Sequence, residues 1–351
     1  MFQLALVILQ CRVGTKAKNM AINNIIIAIG KEDCCRQDVI EVERCSQSVE
    51  QTLVGLGYTV KKVFIEKKDF VSKKRVLNKV ADCRADRVFN LFEGFSDDSF
   101  KEIEFIKILE AEGILFTGNA SATLKICRDK FKVKEVLSKE GVAVPEGKLI
   151  KRSREVDVND FNLPVFIKPC YEDASLGIDK DSLVIKKEYL VAVIKDKLRQ
   201  FPQGVLVEEF ISGKEYTLGM MGKYPYEMLG VSVIDYAEYK KFSPFLTYRA
   251  KWEYSSKEFK EILPKIGGRI DRKVKKEIIR LAKETGRILS CRGYFRVDFR
   301  EKEGKLVVID ANPNPDINKD SGFIKQARAE GLSYSEVISK IISFGFKQRY
   351  A

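Results

Sequence analysis

The stretch VVIDANPNPDI, residues 307–317, starts as an apolar strand and then places Asp310 and Asn312 where the alternation should continue. Upstream, YFRVDF at 294–299 carries Arg296 and Asp298 at the same two-residue spacing. Side chains alternate faces along a strand, so a hairpin joining these segments gathers Arg296, Asp298, Asp310 and Asn312 on one face. The expected connection is the three-residue loop Lys302-Glu303-Gly304, with Gly304 in the left-handed position. That register sets Arg296 opposite Asp310 and Asp298 opposite Val308, and leaves Phe295, Val297, Phe299, Ile309 and Ala311 for the core. Two carboxylates and an amide oxygen suit Mg²⁺, a hard ion that takes a few carboxylates together with substrate phosphate oxygens. Arg296 cannot ligate a cation and would hold an anion, either phosphate or a carbonyl oxygen gaining charge. The same spacing also fits a surface hairpin with one cross-strand Arg–Asp pair, contributing about 0.2–1 kcal/mol. Asp-x-Asn alone does not decide between them.

Lys168 leaves the apolar strand PVFIK just before the small-residue stretch EDASLGI at 172–178, where backbone N–H groups can complete a phosphate cradle. A lysine at a strand end is ordinary by itself, and so are Lys130 in RDKFKVK and Glu208 in VLVEEF. Their order along the chain carries the information. No histidine occurs in the 351 residues. Histidine-dependent bases, nucleophiles and zinc sites are therefore excluded, and chemistry must rest on Asp, Glu, Lys, Arg, hydroxyls or a hard metal held by oxygens.

Three blocks must position these residues. The first alternates strands (25–30, TVKKVFI, 87–94, ILFTG) with helices (DVIEVERCSQSVEQTLVGLG and 99–113), which implies a parallel sheet covered by helices. The second opens with one helix over SATLKICRDKFKVKEVLSKEG, capped by Ser121 and stopped by Gly141, and continues through strands at 164–170 and 204–210. The third holds strands KEYTLGMMG and EMLGVSVI, an irregular segment from Asp235 to Trp252, a basic helix from Arg272 to Leu289, and the hairpin. The irregular segment is long enough to be a lid.

Hydrophobic residues make up 45% and charged residues 32% of the chain, which suits a globular protein with two or three cored domains. Sixty-three basic against 50 acidic residues give +13, which favours polyanionic or phosphate-bearing partners. No basic run interleaved with aromatics and no nucleic-acid motif accompanies that charge. The eight cysteines (11, 34, 35, 45, 83, 127, 170, 291) lack CxxC spacing and read as free thiols in a reducing compartment. The apolar run Phe2–Leu9 is too short to span a bilayer and lacks a signal peptide's positive start. Met20 opens a more conventional beginning, so residues 1–19 read as an upstream extension, and the expected location is the cytoplasm.

Taken in order, DKFKVKEVLSKEGVAVP, VFIKPCYEDASLGI, VLVEEFISGKEYTLG, YRAKW, GYFRVDF, VVIDANPNPDI and SGFIKQARAEGLSYSEVI resemble the ATP-grasp superfamily, and within it the D-alanine–D-alanine ligase group. The resemblance spans about Asn90 to Ile342. It implies an α/β chain, α+β in the ATP-grasp part, in a three-domain arrangement: an extension (1–19), a parallel-sheet pre-ATP-grasp domain (20–118), a small ATP-grasp domain (119–212) and a catalytic C-terminal domain (213–346). Nucleotide would sit between the last two. By the same resemblance Lys130 and Lys168 contact ATP phosphates, and Ser175 closes over them. Glu208 and the backbone of Glu209 and Ile211 hold adenine, and Glu215 reaches the ribose. By the resemblance Asp298, Asp310 and Asn312 bind Mg²⁺, two ions, with Mn²⁺ an alternative. Arg296 stabilises the tetrahedral oxyanion, and Lys251 lies in the lid. The implied reaction forms an acyl phosphate from a carboxylate and ATP, which an amine then attacks to give an amide.

Departures gather at the amino-acid end. The first strand reads IAIGKEDCC instead of a Gly-Gly-x-Ser-x-Glu segment, and Glu93 replaces a histidine. Ala174 replaces a serine of the phosphate loop, Trp252 a tyrosine after Lys251, and Asp316 a glycine near the oxyanion. Asp310 stands where a glutamate is usual. Ser321 and Gly322 match the stretch that meets the second substrate's carboxylate. The expectation is a carboxylate–amine ligase acting on small molecules, amino acids among them, with substrates other than two D-alanines and no nucleic-acid or membrane partner. A homodimer fits the apolar helix surface of the first block. A strict D-alanine–D-alanine ligase, in which Glu93 or Glu32 supplies the missing amine contact, and a non-catalytic ATP-binding regulator stay open as alternatives.

Overall fold

The computed structural model describes residues 24–32, 36–81, 87–268 and 270–346. Residues 1–23, with the expected extension and Cys11, and residues Cys34, Cys35 and Cys83 lie outside these. The first block is a parallel sheet in the order β2-β1-β3-β4. It comprises β1 (Asn24–Gly30), α1 (Gln37–Gly55), β2 (Thr59–Ile65), α2 (Lys73–Ala81), β3 (Arg87–Asn90), α3 (Lys101–Ala111) and β4 (Leu115–Phe116). The β-branched run Ile25–Ile27 is buried on both faces, as a helix-covered parallel strand must be.

Where one helix was expected over 121–141, the chain forms α4 (Ser121–Arg128) and α5 (Lys130–Lys139), broken at Asp129. Asp129 takes an extended backbone, and its carboxylate caps α5 by accepting from Lys132 N at 2.9 Å. The expected Ser121 cap is also absent. Ala120 is the cap residue, and the Ser121 N–H and hydroxyl both donate to Glu110 of α3. After the break, the Lys130 N–H at the start of α5 donates to Cys170 O at 3.1 Å.

The second sheet runs β5-β8-β6-β7, antiparallel throughout. Its strands are β5 (Gly147–Ile150), β6 (Val165–Pro169), β7 (Leu183–Val184) and β8 (Val205–Glu209), with α6 (Lys187–Gln200) packed on one face. Strands β9 (Glu215–Gly222), β10 (Glu227–Ile234) and β11 (Lys265–Ile266) belong to the third sheet, as do β12 (Gly293–Lys302) and β13 (Lys305–Pro313). Its order is β11-β10-β9-β12-β13. The segment expected to be irregular, 235–252, ends in the short helix α7 (Tyr248–Trp252); a second short helix, α8 (Lys257–Glu261), follows it, and α9 (Arg272–Ile288) covers β9, β12 and β13. Of the two C-terminal helices, α10 (Gly322–Ala329) packs on β9, β10 and β11 of the third sheet, and α11 (Tyr334–Phe346) packs on α10 and joins that sheet to α1 and β4 of the first block.

The hairpin β12–β13 departs from the expected register. Lys302 pairs with Lys305, so the connection is the two-residue turn Glu303-Gly304, both with positive φ (50° and 76°). That is the primed turn whose twist matches the strands it joins. Arg296 then faces Asn312, Asp298 faces Asp310, and Phe299 faces Val308, with Ile309 as the extra residue of a β-bulge. The bulge sends Val308 into the core beside Phe299, while Ile309 is only partly buried and is not the core residue expected.

Candidate active site

Two buried lysines face the cleft from the second block. Lys130, at the first position of α5, has Nζ 3.0 Å from Asp173 Oδ1 and 3.3 Å from Asp310 Oδ2. Desolvation works against its charge, but Asp173 and Asp310 outweigh it and hold the ammonium well above its ordinary range. Lys168, at the end of β6, sits 2.9 Å from Glu208 Oε1 and donates to the bulged Ile309 carbonyl at 3.3 Å. The β-bulge therefore has a consequence for the site: it turns a backbone oxygen toward Lys168 and the Asp310 carboxylate toward Lys130.

Glu208 is 4% exposed and accepts a second cation, Lys134 Nζ, at 2.8 Å. Burial alone would raise its pKa, yet Lys134 and Lys168 hold it below the usual carboxylate range. Lys134, by contrast, is lowered, chiefly by desolvation. The Glu209 side chain pairs with Lys302, and its N–H donates to Glu146 O. Phe166, Phe210 and Phe245 form an aromatic group between the second sheet and the lid segment, beside the Ile211 backbone.

Across the cleft, Arg296 forms a bidentate pair with Asp298 of its own strand, both contacts 2.8 Å. Alternation places the two on one face, and this intrastrand pair replaces the cross-strand Arg296–Asp310 pair expected from spacing. Asp310 is held well below the usual carboxylate range by Lys130, Lys168 and Arg296, against the desolvation that would raise it. Asn312 shares the face two residues on. Among the described residues no three Asp, Glu, Cys or His side chains are grouped for a metal. Two opposed carboxylates with a neighbouring amide nevertheless fit Mg²⁺, which completes its shell with water and substrate phosphate. Bound there, the metal would supply charge neutralisation at the phosphates.

Glu215 receives Arg300, at 2.9 Å, and the Tyr236 hydroxyl at 3.1 Å. Arg300 also donates to the Ile211 and Pro244 carbonyls, at 2.8 and 2.7 Å, and stacks on Tyr236 and Phe210. It thus ties β12 to the linker after β8 and to the lid segment. Lys251, at the cleft, is lowered by desolvation and then by Arg296. The segment expected to be a lid reaches the 172–178 loop directly, since Trp252 Nε1 donates to Ala174 O at 2.8 Å. Ala174 and Ser175 both adopt positive φ, 54° and 59°. Lys197 of α6 anchors the far side of the loop through Gly177 O at 2.7 Å.

At the other end of the cleft, Glu93 lies open to solvent along one edge. Desolvation of its carboxyl by surrounding protein, reinforced by Glu102 and Asp316, pushes its pKa up to about 8. Asp316 is raised as well, again chiefly by desolvation, although its carboxylate accepts from Asn318 N at 2.8 Å. Ser321 caps α10 through Ile324 N, with Gly322 the first helical residue. Glu32 is occupied by the Ser96 N–H and hydroxyl.

The structure thus gathers Lys130, Lys168, Glu208, Arg296, Asp298, Asp310, Asn312 and Lys251 around one cleft, with Glu215 behind it on Arg300. Sequence reading missed Lys134, Arg128, Asp173 and Arg300. Arg300 was legible, because 296, 298 and 300 alternate onto one face and pairing sets Arg300 opposite Glu215. Lys134 stands one helical turn after Lys130. Nothing in the spacing points to Arg128, which bridges Glu102 at 2.8 Å and Asp173 at 2.7 Å.

A cleft of lysines and acids between two antiparallel sheets, closed by a lid, defines an ATP-grasp enzyme. The family described as D-ala D-ala ligase C-terminus matches residues 138–343. The chain is 29% identical over 302 residues to a D-alanine–D-alanine ligase of Haemophilus ducreyi, covering 84% of this chain and 90% of the relative. A solved D-alanine–D-alanine ligase of Bacillus anthracis complexed with ATP superposes with a TM-score of 0.74 at 19% identity, over 93% of this chain and 98% of that one. The VanG D-Ala:D-Ser ligase of Enterococcus faecalis gives 0.69 at 22% identity, over 92% and 99%. The chain belongs to the D-alanine–D-alanine ligase family and is an ADP-forming ATP-grasp ligase that uses ATP with Mg²⁺. No described helix is long and apolar enough to cross a membrane.

Proposed function

We propose that the protein joins a small-molecule carboxylate to an amine, amino acids in both roles, with at least one partner other than D-alanine. In this reading Lys130 and Lys168 hold the nucleotide phosphates, and Glu208 with the Glu209–Ile211 backbone receives the adenine. Glu215, braced by Arg300, meets the ribose. Asp298, Asp310 and Asn312 hold the metal, and Ser175 and Lys251 close over the phosphates. The substrate carboxylate attacks the γ-phosphorus, and the Arg296 guanidinium meets the carbonyl oxygen of the acyl phosphate as the amine adds. One oxyanion donor is typically worth about 10²–10³ in rate. The three domains of the sequence reading, a cytoplasmic location and a homodimer belong to the same proposal. Exposed Val54, Leu56 and Phe64 on the first block support the dimer.

The observation that carries the altered specificity is the amino-acid end of the cleft, where desolvation raises both Glu93 and Asp316, with Asp316 adding to the rise at Glu93, and Ala174 has no hydroxyl. Glu93 and Asp316 face an incoming ammonium, with Ser321 and Gly322 near its carboxylate. Phosphate release with ATP and Mg²⁺ across single and paired D- and L-amino acids, with mass spectrometry of products, tests this. Release dependent on a mixed pair is expected. D-Ala-D-Ala formed at an ordinary enzyme rate would overturn the altered specificity while leaving the ligase reading intact.

A further inference from the structure

Lys130 is already matched by anions. Asp173 Oδ1 lies 3.0 Å from its Nζ, and Asp310 Oδ2 lies 3.3 Å away on the other side. The second Asp173 oxygen is 2.7 Å from Arg128 Nη1, and Arg128 is further paired with Glu102 at 2.8 Å. The two cations Arg128 and Lys130 therefore face three carboxylates, Glu102, Asp173 and Asp310. Asp173 does not arrive there by chance of a floating loop, since Trp252 holds the next residue and Lys197 holds Gly177. Its side chain is still 38% exposed, so an entering ligand feels its charge.

We propose that Asp173 is a specificity-determining residue: it occupies the anion position on Lys130 and Arg128, and so makes the phosphate subsite reject metal-free phosphates and accept metal-complexed nucleotide. The inference rests on the nucleotide reading of this cleft. A phosphate oxygen reaching Lys130 must displace the Asp173 carboxylate or lie beside it. At Arg128 and Lys130 the added charge meets three carboxylates against two cations unless a divalent cation comes with it. Asp173 is thus a built-in competitor that free anions cannot overcome cheaply, while Mg²⁺–nucleotide can.

Calorimetric titration of the full chain with pyrophosphate, ADP and adenosine, with and without Mg²⁺, tests this in wild type and Asp173→Asn. The variant is expected to bind metal-free pyrophosphate and ADP about tenfold tighter or more, the scale of one charge-assisted contact. Adenosine affinity should not change, and Mg²⁺–ADP affinity should change much less. Asp173→Ser gives the same readout should asparagine disturb the loop. Unchanged or weaker binding of metal-free pyrophosphate would overturn the proposal. So would an equal gain from Glu172→Gln, which removes a charge from the same loop without a Lys130 contact. Failure of wild type and variants alike to bind ADP or adenosine under any condition would instead overturn the nucleotide reading beneath it.

Discussion

At the scale of single residues, the cleft is a set of charges balanced against one another before any substrate arrives. Arg296 rests on Asp298, Lys130 on Asp173 and Asp310, and Glu208 on two lysines. Glu93, like Asp316, is an exception, a carboxyl among other acids. Its pKa rises from 4.5 to about 8 in the folded protein, so between those values the native state keeps a proton that the unfolded chain releases. Stability then falls as pH rises through that window. Glu93→Gln removes the titration. Its melting temperature relative to wild type should improve steadily from pH 5 to pH 8, and a difference independent of pH would count against the environment described for Glu93. Individual roles at this scale were only partly legible. Lys168 and Asp310 stand out at strand ends, but Asp173 and Arg128 acquire meaning only when a loop and a helix break bring them together.

At the scale of elements, alternation made the β12–β13 face readable and the bulge unreadable. A one-residue insertion leaves the spacing of 296, 298, 310 and 312 intact while changing which residues oppose each other. What settles it is the packing of Val308 beside Phe299, a long-range fact. The break at Asp129 escaped for a related reason, because helical spacing continues across it while capping chemistry at Asp129 restarts the helix. The short strands β5 and β7 carry too few residues to show a period. The lid was expected from its length, and its contact with the phosphate loop is the Trp252–Ala174 bond. Trp252→Phe keeps the ring and loses the donor. The loop should then close less firmly, raising the KM for ATP about three- to tenfold, near the 0.5–1.5 kcal/mol of one hydrogen bond, with kcat changed less. An unchanged KM would mean that this bond does not contribute to closure.

At the scale of the whole molecule, β-branched strands under helix cover made the parallel sheet of the first block legible, and ordered motifs made the ATP-grasp part legible. The packing of α11 against α1 and β4 was not legible, because it joins segments more than 200 residues apart in sequence. Near the end where the family pattern is most altered, Asn318 Nδ2 donates to Glu41 O of α1 at 3.0 Å. The central claim is that this cleft activates a carboxylate through an acyl phosphate. The most direct measurement uses the acid that supports turnover, labelled with ¹⁸O in its carboxyl group, followed by mass spectrometry of the inorganic phosphate released. One labelled oxygen transferred to phosphate per turnover is the predicted result. Unlabelled phosphate, with both labelled oxygens retained on the acid or accounted for in other products, would contradict the account.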